Sequence, residues 1–555
     1  MKRNSCTKIK INLLLSIGAL CLASGTSATQ CMQANEQKAG TPRLTIIFVI
    51  DQGAYSYLQN LHPYFTGGLK HLIDEGVNYT NAYWPHATPT TSVGHAGLST
   101  GTFARYHGIV GNSWYCNDKR VYADNAPELS AQNIMVDGLS DQFMLAAKPQ
   151  ERHHAYALSS KGRAAIMLAG KCGKALWFNY KKGKFCSSKA YFEQLPVWAT
   201  EFNETKNIQA LPSITWKLCY PEKSAAYALA GAADYAYSSG TTLIDQTLTI
   251  DHTKKKPYEV LYKNPYANKL LLELAQQCIN ALMTSKEDHL LLWISLSSLD
   301  AVAHEFGPNS REALDVLYHL DKDLDKFLES VWRKIDKNQT LVALTADHGV
   351  MPILEKVREK GFQETYRLTP RSLLQSVNEA LEKKYDLKNL VIHYKNSQLF
   401  FDTNLFTILE PKKQSAVIKT IKSTLKRIPG IKSVWTAKEL DTVVSPDADA
   451  FKFNYAQQRY QGRTGQLFIQ PQPYTLISKW PTGTAHKSPY NYDTHVPLII
   501  YQPGSIEKKV ITKKVWPLSL APTVADILEI PRPSASTGDV LPGIVNAARS
   551  FSIQL

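Results

Sequence analysis

The sequence has no pair of cysteines at Cys-x-x-Cys spacing, although its 555 residues include eight cysteines. A zinc site built from cysteine is therefore weakly supported. There is no internal repeat. There is also no basic stretch interleaved with aromatics and no DNA-reading motif. The net charge of +15 then points to phosphorylated small molecules drawn into a cleft, with no nucleic-acid partner expected. The apolar run Ile11 to Ala23 is short for a membrane-spanning helix. Lys2, Arg3, Lys8 and Lys10 precede it and the small residues Thr26-Ser-Ala28 follow it. That layout reads as a secretory signal peptide over residues 1–28, and predicts a periplasmic or secreted protein with no stable membrane insertion after cleavage. Its removal lowers the charge from +15 to +11, since the segment holds four basic residues and no acid. In an oxidising compartment a Cys172–Cys186 bridge is expected across a hairpin-like segment.

What the chain does have is an ordinary globular composition, 44% hydrophobic and 20% charged, and enough length for a full-sized core plus a smaller unit. Leu44–Ile50 is a continuous apolar run of the kind buried on both faces of a parallel sheet, and it stops at Asp51. His289–Ser297 stops just before Asp300, and Thr340–Ala346 stops at Asp347-His348. Acids at the carboxyl ends of parallel strands stand where open α/β sheets bind their ligands. Val77–Trp84 reads as a further strand, Gly67–Glu75 and Ala521–Leu528 as short helices, and residues 113–240 show no long period. Glu312–Trp332 reads as a long helix, with apolar residues at 314, 317, 320, 324, 328 and 331 following the 3.6-residue period. Residues 370–440 change character: a helix, strands at Val391–Tyr394 and Gln398–Phe401, a lysine-rich helix at Lys413–Arg427 and a strand near Ser433–Thr436. The fold class predicted is α/β, a mostly parallel central sheet with helices on both faces. A catalytic domain is expected over 42–545, with a small α+β cap inserted at 370–440.

The chemistry gathers around residues 84–112. Pro and Thr residues halt a strand, Thr91 stands at the mouth of a small-residue helix, and Asn112 follows a Gly-rich return. By itself a hydroxyl there is a helix cap. Asp300 and His304 lie four apart, on one face if helical. Asp51, Asp300, His304, Asp347, His348 and one downstream histidine, His486 or His495, supply six oxygen or nitrogen donors. That number suits two divalent metals with three protein ligands each, and mixed His and carboxylate donors suit zinc. Such a pair stabilises both oxygens of an in-line displacement at phosphorus. Asn112, Lys161 and Arg163 can meet the charge on phosphoryl oxygens. Thr88 and Thr90 are alternatives to Thr91 as nucleophile. His95 and His107 read as local hydrogen-bonders.

These motifs, Phe-Val-Ile-Asp51-Gln, Thr91-Ser-Val-Gly-His, His-Gly-Ile-Val-Gly-Asn112, Lys161-Gly-Arg163, Ser-Leu-Asp300-Ala-Val-Ala-His304-Glu-Phe-Gly-Pro, Thr-Ala-Asp347-His348-Gly and His486-Lys-Ser-Pro-Tyr, together resemble the alkaline phosphatase superfamily. Within it they resemble the phosphate-irrepressible alkaline phosphatases, close to the type I phosphodiesterase/nucleotide pyrophosphatase group. The resemblance implies an exported phosphomonoesterase working through a phosphothreonine on Thr91. It implies two zinc ions, one held by Asp300, His304 and His486, the other by Asp51, Asp347 and His348 with Thr91 on it. It further implies that Asn112 binds a phosphoryl oxygen and that Lys161 and Arg163 favour dianionic monoesters. Val93 stands where members often have proline, and Gly162 where an acid is common. No Cys-x-Pro-x-Arg or Ser-x-Pro-x-Arg occurs at the nucleophile, which disfavours the sulfatase branch. A phosphodiesterase or nucleotide pyrophosphatase is the alternative enzyme, and a non-catalytic phosphate-binding relative the alternative of another class. Monomer and homodimer are both compatible with the sequence.

Overall fold

The computed structural model describes residues 40–116, 118–230, 242–443 and 445–544; the signal peptide expected at 1–28 lies outside the described residues. Leu44–Ile50 forms β1, with all seven side chains buried. Leu44, Ile46, Phe48 and Ile50 enter one apolar cluster, and Ile47 and Val49 enter another on the opposite face. This is the two-residue alternation of a strand covered on both sides.

Around β1 lie β2 (Val77–Tyr79), β3 (Arg152–Ser159), β4 (Lys174–Asn179), β5 (Lys184–Cys186), β6 (Asp288–Leu296), β7 (Thr340–Thr345), β8 (Leu498–Tyr501) and β9 (Lys509–Ile511). They form one nine-stranded sheet in the order β9-β2-β8-β7-β1-β6-β3-β4-β5. The run from β7 to β4 is parallel, whereas β8 and β5 run antiparallel to their neighbours. Helices α1 (Gly68–Glu75), α4 (Pro265–Leu282) and α6 (Arg311–Lys334) pack their apolar faces on one side of the sheet. Helices α2 (Thr91–Thr100), α3 (Gly162–Ala169) and α7 (Leu520–Ile527) pack on the other. The α/β architecture expected from the strand pattern is the one found. In α6 the Ser310 hydroxyl caps the amide of Ala313, and Leu314, Leu317, Leu320, Leu324, Leu328 and Val331 are all buried, which is the stripe its sequence carries.

The register sets up the site. Val49 of β1 pairs with Thr345 of β7, so Asp51 and Asp347, each two residues further on, leave the sheet side by side. On the other flank of β1, Ile50 pairs with Leu296 of β6, and the chain passes directly into α5 (Ser298–Phe306), which carries Asp300 and His304.

A second, four-stranded sheet has the order Val391–Lys395, Gln398–Phe401, Leu467–Pro471, Ile431–Thr436. Helices Pro370–Tyr385 and Pro411–Lys426 cover it with Leu373, Val377, Leu381, Val417, Ile421 and Leu425. One of its strands, Leu467–Pro471, comes from beyond residue 440.

Three expectations need correction. Val77–Trp84 is not one strand: β2 ends at Tyr79, and Ala82–Tyr83 pairs instead with His495–Val496. A turn at Thr80-Asn81 redirects the chain so that the Trp84 amide reaches the Thr494 carbonyl. The aperiodic stretch 113–240 contains three strands of the central sheet, β3, β4 and β5, hidden from a periodicity reading because their apolar runs are short. No Cys172–Cys186 bridge forms; both thiols are free. Cys186 lies opposite Trp177 in the β4–β5 pair, while Cys172 stands in the turn before β4, outside that pair.

Candidate active site

Six of the predicted residues come together in two groups of three. Asp51, Asp347 and His348 form one, and Asp300, His304 and His486 the other, each with one donor atom per residue within 4.8 Å of the rest. In the first, His348 Nε2 lies 3.2 Å from Asp347 Oδ2 and 3.7 Å from Asp51 Oδ1. In the second, Asp300 Oδ1 is 3.1 Å from His304 Nε2 and 3.7 Å from His486 Nε2, and the two ring nitrogens face each other at 3.3 Å. The groups abut: the His348 and His486 rings stack with centroids 3.5 Å apart, and Lys161 Nζ sits 2.5 Å from both Asp51 Oδ2 and Asp300 Oδ2. The downstream histidine of the cluster is His486. His495 lies elsewhere, stacked on Tyr55 and Tyr83 with Nε2 on the Thr80 carbonyl.

Each histidine is aimed by its other ring nitrogen. His304 Nδ1 meets the Thr484 carbonyl at 2.8 Å, His486 Nδ1 the Pro89 carbonyl at 3.0 Å and His348 Nδ1 the Gly349 carbonyl at 3.0 Å. A proton on Nδ1 leaves every Nε2 free to donate its lone pair, as metal-binding imidazoles do. Burial lowers the pKa of His348 against the pull of Asp347, and lowers that of His486, where His348 and His304 push the same way. Burial, reinforced by Asp347, pushes the Asp51 carboxyl well up despite Lys161. At Asp300 burial acts upward too, but Lys161 and His304 outweigh it and hold the carboxyl down.

The donor set fits divalent cations. Asp51 Oδ1, Asp347 Oδ2 and His348 Nε2 are buried with no hydrogen-bond partner among the described residues, and they are the atoms that face one another. Three buried carboxylates stand here beside a single ammonium, Lys161, which touches Asp51 and Asp300. Each uncompensated buried charge costs several kcal/mol, a deficit that bound cations remove.

Thr91 opens α2, buried at 3% exposure. Its carbonyl takes the Nδ1 of His95 at 2.8 Å, and the same nitrogen lies 3.2 Å from Asp347 Oδ2. His95 is thus a local hydrogen-bonder that joins the helix opened by Thr91 to the first triad. Gly94 lets α2 approach, since a Cβ there would fall 2.3 Å from the Asp347 carbonyl oxygen. Thr88 is taken up by Gln458, whose side chain bonds its amide, carbonyl and hydroxyl. Thr90 is the residue before the helix, its hydroxyl buried without a partner among the described residues. His107 is buried away from the cluster, with Nδ1 on the Ile109 amide. Asn112 Oδ1 accepts the Ser92 amide at 2.8 Å, which leaves its NH2 group for an anion at the helix mouth. Lys161 and Arg163 flank Gly162 at the start of α3.

Two residues of this machinery carry no signal as donors in the sequence. Gln52 adopts a left-handed φ of 68°, gives its amide to Asp347 Oδ1 and its side-chain nitrogen to Asp300 Oδ1 at 2.9 Å, and so spans both triads. Asp493 accepts the amides of Lys487 and Ser488 and the Ser488 hydroxyl on one oxygen. It thereby fixes the loop that follows His486. Position alone, next to Asp51 and after the His486 motif, was the available hint.

A family model described as type I phosphodiesterase/nucleotide pyrophosphatase matches residues 45–396. The chain belongs to that family. Within the alkaline phosphatase superfamily its relatives include "Alkaline phosphatase PhoV" of Synechococcus elongatus, 30% identical with 96% of this chain and 99% of the relative covered. "Alkaline phosphatase PafA" of Elizabethkingia meningoseptica is 27% identical over 91% of this chain and 94% of its own. A crystal structure of wild-type alkaline phosphatase PafA superposes with a TM-score of 0.81 at 25% identity, covering 91% of this chain and 99% of that one. The family model stops short of His486, so the last histidine of the two groups is placed by the fold and not by that match.

Proposed function

We propose that the protein is an exported, metal-dependent phosphomonoesterase that releases inorganic phosphate from small phosphate monoesters, with Thr91 as the group transiently phosphorylated. The observation that carries this reading is the pair of abutting His/carboxylate triads at the mouth of the helix that Thr91 opens. Two zinc ions fit the donors, one with Asp51, Asp347 and His348, the other with Asp300, His304 and His486. When bound, such a pair lowers the pKa of a coordinated hydroxyl and clamps the attacking and leaving oxygens in line.

The chain's own residues do the rest. His95 and the Gly94 contact hold Thr91 against the Asp347 strand end. The Thr91 oxygen, its proton passed to solvent, bonds to phosphorus as the ester P–O bond breaks on the opposite side and the leaving oxygen takes up a proton; water later splits the phosphothreonine into inorganic phosphate and the free hydroxyl. Asn112 donates to a phosphoryl oxygen from its free NH2. The amides at the α2 N-terminus add a dipole contribution of about 0.3–1 kcal/mol, small beside that of the cations. Lys161 and Arg163 meet the additional charged oxygen that a monoester brings and a diester lacks. That difference favours the monoesterase over the phosphodiesterase reading.

Phosphate release from an aryl monoester, set against a bis-aryl diester with and without chelator, tests this. Monoester turnover that is lost with chelator and restored by zinc is expected. An undiminished rate in chelator ends the two-metal reading, and faster diester turnover ends the role given to Lys161 and Arg163. Thr91→Ala should abolish covalent phosphate labelling; labelling that persists moves the nucleophile to the neighbouring Thr90.

A further inference from the structure

The second sheet reaches into the active site through one hairpin. Its strands Val391–Lys395 and Gln398–Phe401 pair antiparallel and turn at Asn396 and Ser397, with φ of 51° and 58°, the left-handed pair that a tight hairpin turn requires. The Asn396 side chain donates to the Ser113 carbonyl at 3.0 Å. It lies so close to Gly111 that a Cβ there would fall 2.1 Å from Asn396 Nδ2. The hairpin tip is therefore docked on the loop that carries Asn112.

Lys395, the residue before that tip, is half-buried and has no acidic partner among the described residues. Basic groups converge on it instead. Arg120 is tied by Nε to the Ser113 hydroxyl at 3.1 Å, on the residue whose carbonyl anchors Asn396. Lys487, next after His486, lines a small cavity together with Tyr394 and Ser397 of the hairpin. Arg163 makes no side-chain hydrogen bond among the described residues; Asp124 is the acid that feels it. Burial, then Arg120, Lys487, Arg163 and Lys479, push the Lys395 ammonium down to about 8. A half-buried ammonium among like charges, held there by a docked turn, is a concentrated positive potential.

Building on the phosphomonoesterase reading, we propose that Lys395, with Arg120 and Lys487, forms a second anion subsite beside the reacting phosphoryl group that Arg163 meets. Its ligand is a second phosphate on the leaving group, so the favoured substrates are bisphosphorylated small molecules. Lys395 acts there as a specificity-determining residue, since it meets the remote phosphate and not the reacting one.

The test compares fructose 6-phosphate with fructose 1,6-bisphosphate on the zinc-loaded protein. In the wild type the bisphosphate should have the lower KM. Lys395→Ala should raise the bisphosphate KM about tenfold relative to that of the monophosphate, the size of one desolvated charge contact, with kcat for the bisphosphate moving less than KM. Lys395→Arg should restore the ratio. A KM ratio near one in the wild type, a ratio unmoved by Lys395→Ala, or no rescue by arginine overturns the second subsite. The pair separates the two readings: if neither sugar phosphate yields phosphate, the phosphomonoesterase assignment has failed; if both do and the ratio stays put, only the subsite has.

Discussion

The two triads have the same donor chemistry but different origins. Asp51, Asp347 and His348 are all fully buried and come from the ends of two adjacent parallel strands, where one register places both acids. Asp300 and His304 share a helical face, but His486 arrives from a loop 182 residues further along the chain, and the His304 side chain is 35% exposed. The first triad is positioned by the sheet and needs little else. The second is completed by loop contacts: the Thr484 and Pro89 carbonyls on the rings, and Asp493 on the backbone after His486. Strand ends give rigid placement, whereas a loop ligand needs a supporting shell.

The largest effect is expected where α2 touches the sheet-held triad. Gly94→Ala would drive a methyl group into the Asp347 carbonyl and β-carbon, both fixed by the strand end and unable to give way as the end of a flexible side chain could. Overpacking of this kind costs about 1–3 kcal/mol. A displacement near 1 Å of Thr91 from Asp347 lowers turnover about 100-fold. Steady-state kinetics and thermal unfolding check both, and near-normal turnover would show that the sheet-held half is softer than its burial implies.

Asp493→Ala acts on the other half. It frees the amides of Lys487 and Ser488 together and unfastens the backbone behind His486. Metal affinity should fall about 10–100-fold, as for lost outer-shell partners, and at one of the two sites only. Competitive titration with a chromophoric chelator counts sites as well as affinities. Equal weakening of both sites would erase the distinction between strand-held and loop-held ligands.

The same distinction governs what was legible in the sequence. Asp51, Asp300 and Asp347 were visible because a buried parallel strand is a short apolar run, and its end is marked by the first acid. The helical spacing of Asp300 and His304 was visible for a similar local reason. His486 was favoured over His495 because His495 runs into Val-Pro and an apolar strand, but the packing that sets His495 between two tyrosines is tertiary and lay beyond local pattern. Gln52 and Asp493 act through a left-handed backbone and a loop, neither of which carries a period. Thr80-Asn81 broke a strand that hydropathy alone continued, and the absent Cys172–Cys186 bridge turned on a register that spacing does not encode. Local order reads through; long-range closure does not.

A third effect concerns the charge state of the loop's own support and leaves turnover at fixed pH untouched. Burial, opposed by the Ser488 and Lys487 hydrogen bonds, raises the Asp493 carboxyl to about 7. All three of those bonds fall on Oδ2, and Oδ1 has no partner among the described residues, so the neutral form suits the site. With the folded pKa above the unfolded one, the folded state holds the proton more tightly. The associated stability is complete below about pH 4 and is lost as pH rises towards 7. Asp493→Asn keeps an oxygen acceptor but cannot titrate. Across that window metal-free wild-type protein should lose at most about 1.4 kcal/mol per pH unit that the Asn variant keeps, read from urea unfolding midpoints at stepped pH. Parallel curves for the two proteins would mean that Asp493 is ionised in the fold, and that its hydrogen bonds outweigh its burial.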